Sequence, residues 1–200
     1  MSSADAAKWN ERYRSSVEPA FERPREFLIA QASHLPPNGV AFDIAMGAGG
    51  NAGYLIERGL RVIGVDVSEE GVRRAKQRWP AIEVAVIDLE RYRWPACAFD
   101  VILNFYFCQR DLWPHLRSML RPGGVLIFET LTRDTLQTRP DYNPAYLLAP
   151  DELRHAFADW DVLVYREGWI DIDGHWPRAV ASLVAKKPCE GLKVSDNHHV

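Results

Sequence analysis

The densest run of residues suited to chemistry is Phe42-Asp43-Ile44-Ala45-Met46-Gly47-Ala48-Gly49-Gly50-Asn51. An apolar stretch with an acid inside it passes into a glycine-rich turn and opens a helical pattern. Glycines let the backbone pass close to a ligand, and a helix N-terminus offers unpaired N–H groups to it. Gly47-x-Gly49 followed by Ala52 also meets a loose dinucleotide fingerprint. Taken alone, such a turn can be no more than a tight strand-to-helix connection. Three further positions sharpen it. Asp66 closes the run Val62-Ile63-Gly64-Val65-Asp66, where a carboxylate accepts hydrogen bonds from a ribose diol. Asp88-Leu89 follows the next apolar run, an acid that can meet an adenine amino group beside an apolar side chain that can cover the ring. Asn104 closes a fourth run, where a reacting group would lie. The plain alternatives are a capping acid at Asp66, although Ser68 already suits that task, and a solvated loop acid at Asp88. Together the four positions fall at the carboxyl ends of consecutive strands, where open α/β sheets bind ligands.

The elements that must carry these residues alternate short apolar runs with helical patterns, the signature of βα units and a mostly parallel sheet. The predicted strands are Val40 to Ala45, Val62 to Asp66, Ile82 to Ile87, Val101 to Asn104 and Val125 to Glu129. Runs such as Val125-Leu126-Ile127-Phe128 suit strands covered on both faces. Between them, one helix spans Asn51 to Arg58 and stops at Gly59, and the next has Ser68 as N-cap, Glu69 and Glu70 in its first turn, and Pro80 beyond its end. A third begins at Asp111 and is terminated by Pro122-Gly123-Gly124. A short helix around Leu153 to Phe157 precedes two last strands, Trp160 to Val164 and Ala179 to Ala185, read as an antiparallel edge pair. Ala4 to Arg14 and Pro24 to His34 read as helices preceding the sheet, and 132–149 as a loop long enough to be functional. One domain is expected over 1–187, with a polar tail over 188–200.

Composition narrows the function. A net charge of −3 and an ordinary apolar content argue against disorder and against an electrostatic nucleic-acid binder. Arg91-Tyr92-Arg93-Trp94 is a mild single-strand signal that reads better as an exposed turn. Cys97, Cys108 and Cys189 form no CxxC pair and point to a reducing cytosol rather than a disulfide framework. Met1 to Trp9 carries no secretory apolar run, and no uncharged stretch approaches the roughly 18 residues of a membrane helix. The expectation is a cytoplasmic protein without membrane contact or metal site; His198 and His199 lie in the tail without fixed co-ligands.

The string AFDIAMGAGGNAGYLIERGLRVIGVDVS resembles motifs I and II of class I S-adenosylmethionine-dependent methyltransferases, FDVILNFYF resembles their motif IV, and LRPGGVLIFET the segment entering their fifth strand. Lys8-Trp9-Asn10-Glu11-Arg12-Tyr13 is similar to the W-x-x-R-Y start of the bacterial tellurite-resistance and thiopurine-type small-molecule branch. The resemblance implies a Rossmann-like doubly wound sheet of seven strands, mostly parallel, with an antiparallel C-terminal edge pair. It makes 1–35 a helical lid. It implies S-adenosylmethionine as cofactor, S-adenosylhomocysteine as product, and a small-molecule acceptor. By the same resemblance Asp43, Ala45, Gly47 and Gly49 surround the methionine moiety, Asp66 holds the ribose hydroxyls with Val67 beside the adenine, and Asp88 and Leu89 bind the adenine edge and face. Asn104 lies near the transferable methyl, and Trp9 and Tyr13, four apart on one helical face, form part of the lid. The departure is Ala45, where the family usually has glycine.

No residue is assigned as a catalytic base. His115 and His155 read as surface histidines, and Tyr106, Glu129, Tyr142 and Asn143 fall near the expected acceptor pocket, with strand-end packing or loop hydrogen bonding as the plain alternative. Methyl transfer from a sulfonium needs alignment and exclusion of water more than a base, which favours a soft sulfur, selenium or tellurium acceptor or one already ionised. Two rivals remain: an NAD-dependent oxidoreductase, which shares the glycine turn and Asp66, and a methyltransferase-like binding module without turnover, motivated by Ala45.

Overall fold

Side chains on a strand alternate between the two faces of a sheet, so a strand apolar at every position needs a helical layer on each side. That arrangement is found in a computed structural model, which describes residues 3–15, 22–89, 94–171 and 177–189. Seven strands form one sheet: β1 (Val40–Ile44), β2 (Arg61–Asp66), β3 (Glu83–Val86), β4 (Phe99–Phe105), β5 (Leu120–Leu131), β6 (Asp161–Ile170) and β7 (Arg178–Lys186). Their spatial order is β3-β2-β1-β4-β5-β7-β6; the pairs among β1 to β5 are parallel, and β7 is antiparallel to both β5 and β6. Phe42, Ile44, Ile102, Leu126 and Phe128 enter one apolar core, and their neighbours Ala41, Val101, Leu103, Val125 and Ile127 the other. The first core is closed by α5 (Trp113–Met119) and α6 (Glu152–Ala156), the second by α2 (Glu26–Ala30), α3 (Gly50–Glu57) and α4 (Glu69–Arg78). The thirteen-residue helix α1 (Ser3–Ser15) packs on α4.

All seven predicted strands are present. Ser68 caps α4, its hydroxyl accepting from the Gly71 N–H at 3.1 Å, and Gly59 follows α3 in the left-handed region at φ 90°. Three expectations need correction. The Pro24 to His34 helix is two short pieces, α2 and a 3-10 turn over Ala32–His34, with Gln31 between them in neither conformation. The third helix starts as a 3-10 turn at Arg110–Leu112 and becomes α-helical only from Trp113. It ends at Met119, and Pro122-Gly123-Gly124 lies inside β5, not beyond a helix. Proline is tolerated there because the parallel ladder to β4 shifts register between Phe99 and Val101, opposite that stretch. The 132–149 segment is partly ordered by Arg110, whose guanidinium donates to the carbonyls of Ala145 (2.7 Å) and Leu147 (2.9 Å). No helix among the described residues is long and apolar enough to cross a membrane. Arg91 to Arg93, His198 and His199 lie outside the described residues.

Candidate cofactor and acceptor site

Parallel register aligns the strand ends: Ile44 pairs with Val65 on one side and Asn104 on the other, so β1, β2 and β4 deliver their last residues to one edge. Beyond that edge the chain from Ala45 to Gly49 turns sharply, with φ of 52° at Ala45, 57° at Gly47 and 77° at Gly49. At Gly47 the lack of a side chain serves twice. The left-handed backbone suits glycine, and a Cβ there would stand 2.2 Å from the Tyr13 hydroxyl. Ala45 holds the same conformation with a methyl group, which costs an L-residue roughly 1–2 kcal/mol.

Two acids sit under this turn. Asp66 is buried, and both its oxygens accept backbone hydrogen bonds, Oδ2 from Gly47 N–H at 2.9 Å and Oδ1 from Ser68 N–H at 2.8 Å. Burial raises its pKa, an effect offset in part by those bonds. The carboxylate is thus a brace of the turn as well as a candidate ribose ligand, a double duty that the sequence does not reveal. Asp43 is only 1% exposed, and its Oδ2 has no hydrogen-bond partner. Burial and then the charge of Asp66 push its pKa up to about 8, against a backbone bond from Ala52 that lowers it. A buried, unpaired carboxyl oxygen is costly unless a ligand completes it.

Helix α1 is tied to the same place. Asn10 Oδ1 accepts from the Ser68 hydroxyl at 2.8 Å and from the Glu70 N–H at 3.0 Å. This tether carries Tyr13, 5% exposed, onto Gly47 and Gly71, and Trp9 beside it with ring centroids 6.1 Å apart. Burial and the charge of Asp66 raise the Tyr13 pKa beyond the ordinary phenol range.

A cavity of about 100 Å³ lies among these groups. Of the residues expected from sequence, Trp9, Tyr13, Asp43, Ala45, Gly47, Asp66 and Val67 line it. Gly49, Asp88, Leu89 and Asn104 do not. Leu89 is in the apolar core, Asp88 is half-buried beyond β3, and Asn104 turns its Nδ2 to the Phe107 carbonyl at 2.7 Å, bracing the loop after β4. Tyr142 and Asn143 are on an exposed loop tip, and His115 and His155 are exposed. Sequence reasoning missed Arg23, Arg25, Phe105 and Phe107, which also line the cavity. The one available signal for Arg25 is the Arg23-Pro24-Arg25 triplet before α2, but nothing local says that this segment crosses the start of α3, where the Arg25 N–H donates to Asn51 Oδ1 at 2.8 Å. Among the described residues no cluster of three His, Cys, Asp or Glu could hold a metal ion.

Residues 41–124 match a family described as "Methyltransferase domain". The chain is 32% identical over 142 residues to the malonyl-[acyl-carrier protein] O-methyltransferase of Enterobacter lignolyticus, covering 68% of this chain and 55% of that protein. It is 38% identical over 126 residues to the trans-aconitate 2-methyltransferase of Rhodopseudomonas palustris (strain BisB5), covering 60% and 49%. The chain spans about half the length of these curated relatives. Among solved structures, TehB from Haemophilus influenzae superposes with a TM-score of 0.68 at 17% identity, over 91% of this chain and 66% of that one.

Proposed function

From its kinship with the S-adenosylmethionine-dependent methyltransferases, we propose that this chain transfers a methyl group from S-adenosylmethionine to a small-molecule acceptor. The observation that carries the reading is Asp43: a buried carboxyl with one unpaired oxygen, beneath a glycine turn, in a cavity shared with Asp66. A cationic ligand suits that oxygen, and S-adenosylmethionine brings both an ammonium and a sulfonium. The residues present fit the group chemically. Asp43, Ala45, Gly47 and Gly49 would surround its methionine part, and Asp66 with Val67 its ribose and adenine. Asp88, Leu89 and Asn104 stay in the proposal at one remove, Asp88 and Leu89 as groups beyond β3 and Asn104 through its hold on the Phe105–Phe107 loop. The cavity is smaller than the ~300 Å³ from which ligand pockets start. Binding therefore requires Trp9 and Tyr13 to yield, which supports reading 1–35 as a lid within a domain of 1–187.

When bound, the cofactor supplies an electrophilic methyl on sulfur. The chain's own residues orient it, and the lid excludes water. Tyr106 is no base: burial and the charge of Glu129 push its pKa up to about 12. The acceptor is accordingly soft or already ionised. A cytoplasmic location and the absence of a nucleic-acid partner remain part of this proposal. The second reading, a module that binds without turnover, is favoured only by the strained Ala45.

Calorimetry with S-adenosylhomocysteine, S-adenosylmethionine, NAD and NADP tests the proposal. Binding of both adenosyl ligands and of neither dinucleotide is expected. Binding of NAD alone would overturn it, and adenosyl-ligand affinity without transfer to any acceptor would favour the second reading.

A further inference from the structure

Tyr106, in the wall of the cavity, stands at a concentration of positive charge. It follows β4 in a left-handed conformation at φ 53°, fixed by a bond from its N–H to the Glu129 carbonyl at 2.8 Å. Such strain in a bulky residue persists only where surroundings over-determine it, and it clusters at functional sites. Two guanidiniums meet its ring: that of Arg25, from the segment before α2, with its carbon 4.7 Å from the centroid, and that of Arg178, from the start of β7, at 5.0 Å. The acid of this region, Glu129, is committed elsewhere. Its Oε2 accepts from Ser182 at 2.7 Å and Arg166 at 3.1 Å, and its Oε1 from the Tyr106 hydroxyl at 3.2 Å. Among the described residues neither Arg25 nor Arg178 has an ion pair. Burial pulls the Arg25 guanidinium below its ordinary pKa and the charge of Arg178 pulls the same way, against the opposing influence of Tyr106 and Glu129. Two like charges are thus held together on one ring beside a cavity, and the acid nearest Arg25, Glu129, already shares its oxygens among Tyr106, Arg166 and Ser182.

We infer that Arg25 and Arg178, carried on Tyr106, bind the carboxylate of the methyl acceptor, so that the substrate is an organic acid. A planar guanidinium matches a carboxylate in two parallel hydrogen bonds, which a thiol or a neutral amine cannot reproduce. The inference rests on the transfer reading above and specifies its acceptor. The chemistry balances without a base. A carboxylate oxygen donates an electron pair to the methyl carbon as the carbon–sulfur bond breaks. The products are a methyl ester and the neutral thioether S-adenosylhomocysteine, and no proton moves. Cation–carboxylate contacts leave one oxygen lone pair for attack while fixing the acid's direction.

The test has two stages, so that the two proposals fail separately. Wild-type protein is first titrated with S-adenosylhomocysteine; absence of binding defeats the cofactor reading itself. The loaded protein is then titrated with malonate, trans-aconitate, citrate, benzoate and phenylacetate, and with their amides. At least one acid should bind, and its amide should bind at least 10-fold more weakly. Arg178→Gln should weaken the acid by about 10- to 100-fold while leaving S-adenosylhomocysteine affinity within about 3-fold. Arg178→Lys should recover part of the loss. Turnover with the bound acid should yield an alkali-labile ester that releases methanol. Melting of the ligand-free variants supplies a readout independent of activity: Arg25→Gln and Arg178→Gln should melt at or above the wild-type temperature, because like-charge crowding is relieved. The inference is overturned if no acid binds, if acid and amide bind alike, or if either variant melts well below wild type, which would mark the pair as structural. It is equally overturned if Arg25→Gln and Arg178→Gln weaken S-adenosylhomocysteine instead of the acid, which would give these cations to the cofactor's own carboxylate.

Discussion

Two side chains at the glycine turn show how a residue's type and its backbone can conflict. Ala45 stands at φ 52°, where the related methyltransferase motif usually has glycine. Ala45→Gly relieves a strain of about 1–2 kcal/mol and gives back about 0.5–1 kcal/mol in unfolded-chain entropy. A net gain of about 0.5–1 kcal/mol in apo stability is expected by urea denaturation, with adenosyl-ligand affinity equal or better. A loss of stability would mean that the methyl's packing outweighs the dihedral cost. Asp66 carries a second task beside the one its place at a strand end suggests. A strand-end acid facing a cleft should support little of the core, yet here both oxygens brace the turn and the start of α4. Asp66→Ala should therefore lower apo stability by about 2 kcal/mol and also weaken adenosyl ligands by roughly 30- to 1,000-fold. An unchanged apo midpoint would refute the bracing role; unchanged affinity would remove Asp66 from the cofactor site.

At the level of elements, α1 is tied to the candidate site through one asparagine. Asn10 reaches both the Ser68 hydroxyl and the Glu70 N–H, so α1 is hydrogen-bonded to the cap of α4 one step from Asp66. Asn10→Ala should loosen α1 by about 1–2 kcal/mol. Amide hydrogen exchange across Ser3–Ser15 should quicken while exchange in β1, β4 and β5 stays the same. Equal protection of α1 in both proteins would show that Tyr13 alone secures it. Removing residues before Arg14 should leave the sheet folded, since every strand lies beyond it, and should impair transfer; full turnover by the truncated chain would end the lid argument. Element ends were the least legible feature. The Pro-Gly-Gly that reads as a helix terminator lies inside β5, because a register shift on β4 absorbs it.

For the whole molecule, the two buried acids set how stability responds to pH. Asp43 keeps its proton in the fold up to about pH 8, whereas an unfolded chain releases it near pH 4. Between those values the native state binds more protons, so stability falls as pH rises, and Asp66, raised in the same direction, adds to the slope. The surface acids Glu70, Glu83 and Asp141 have lowered values, and their opposite contribution is complete by about pH 5, at the low edge of that window. Ligand-free protein should melt lower at pH 8 than at pH 5.5, and Asp43→Asn should flatten the difference; a rise in melting temperature across that range would contradict the assignment. Binding of cationic S-adenosylmethionine at pH 7 should release protons, read as a dependence of calorimetric heat on buffer ionisation enthalpy. What the sequence determined by itself was the order and type of the elements, the glycine turn and the acids at the strand ends, because these are written in local periodicity and in short-range backbone demands. Only the tertiary structure decided that Asp66 is already engaged, that Leu89 faces the core, and that Arg25 and Arg178 meet on Tyr106. Those facts depend on which side chains from distant segments converge, and neither the spacing nor the type of a residue specifies that before the sheet is wound.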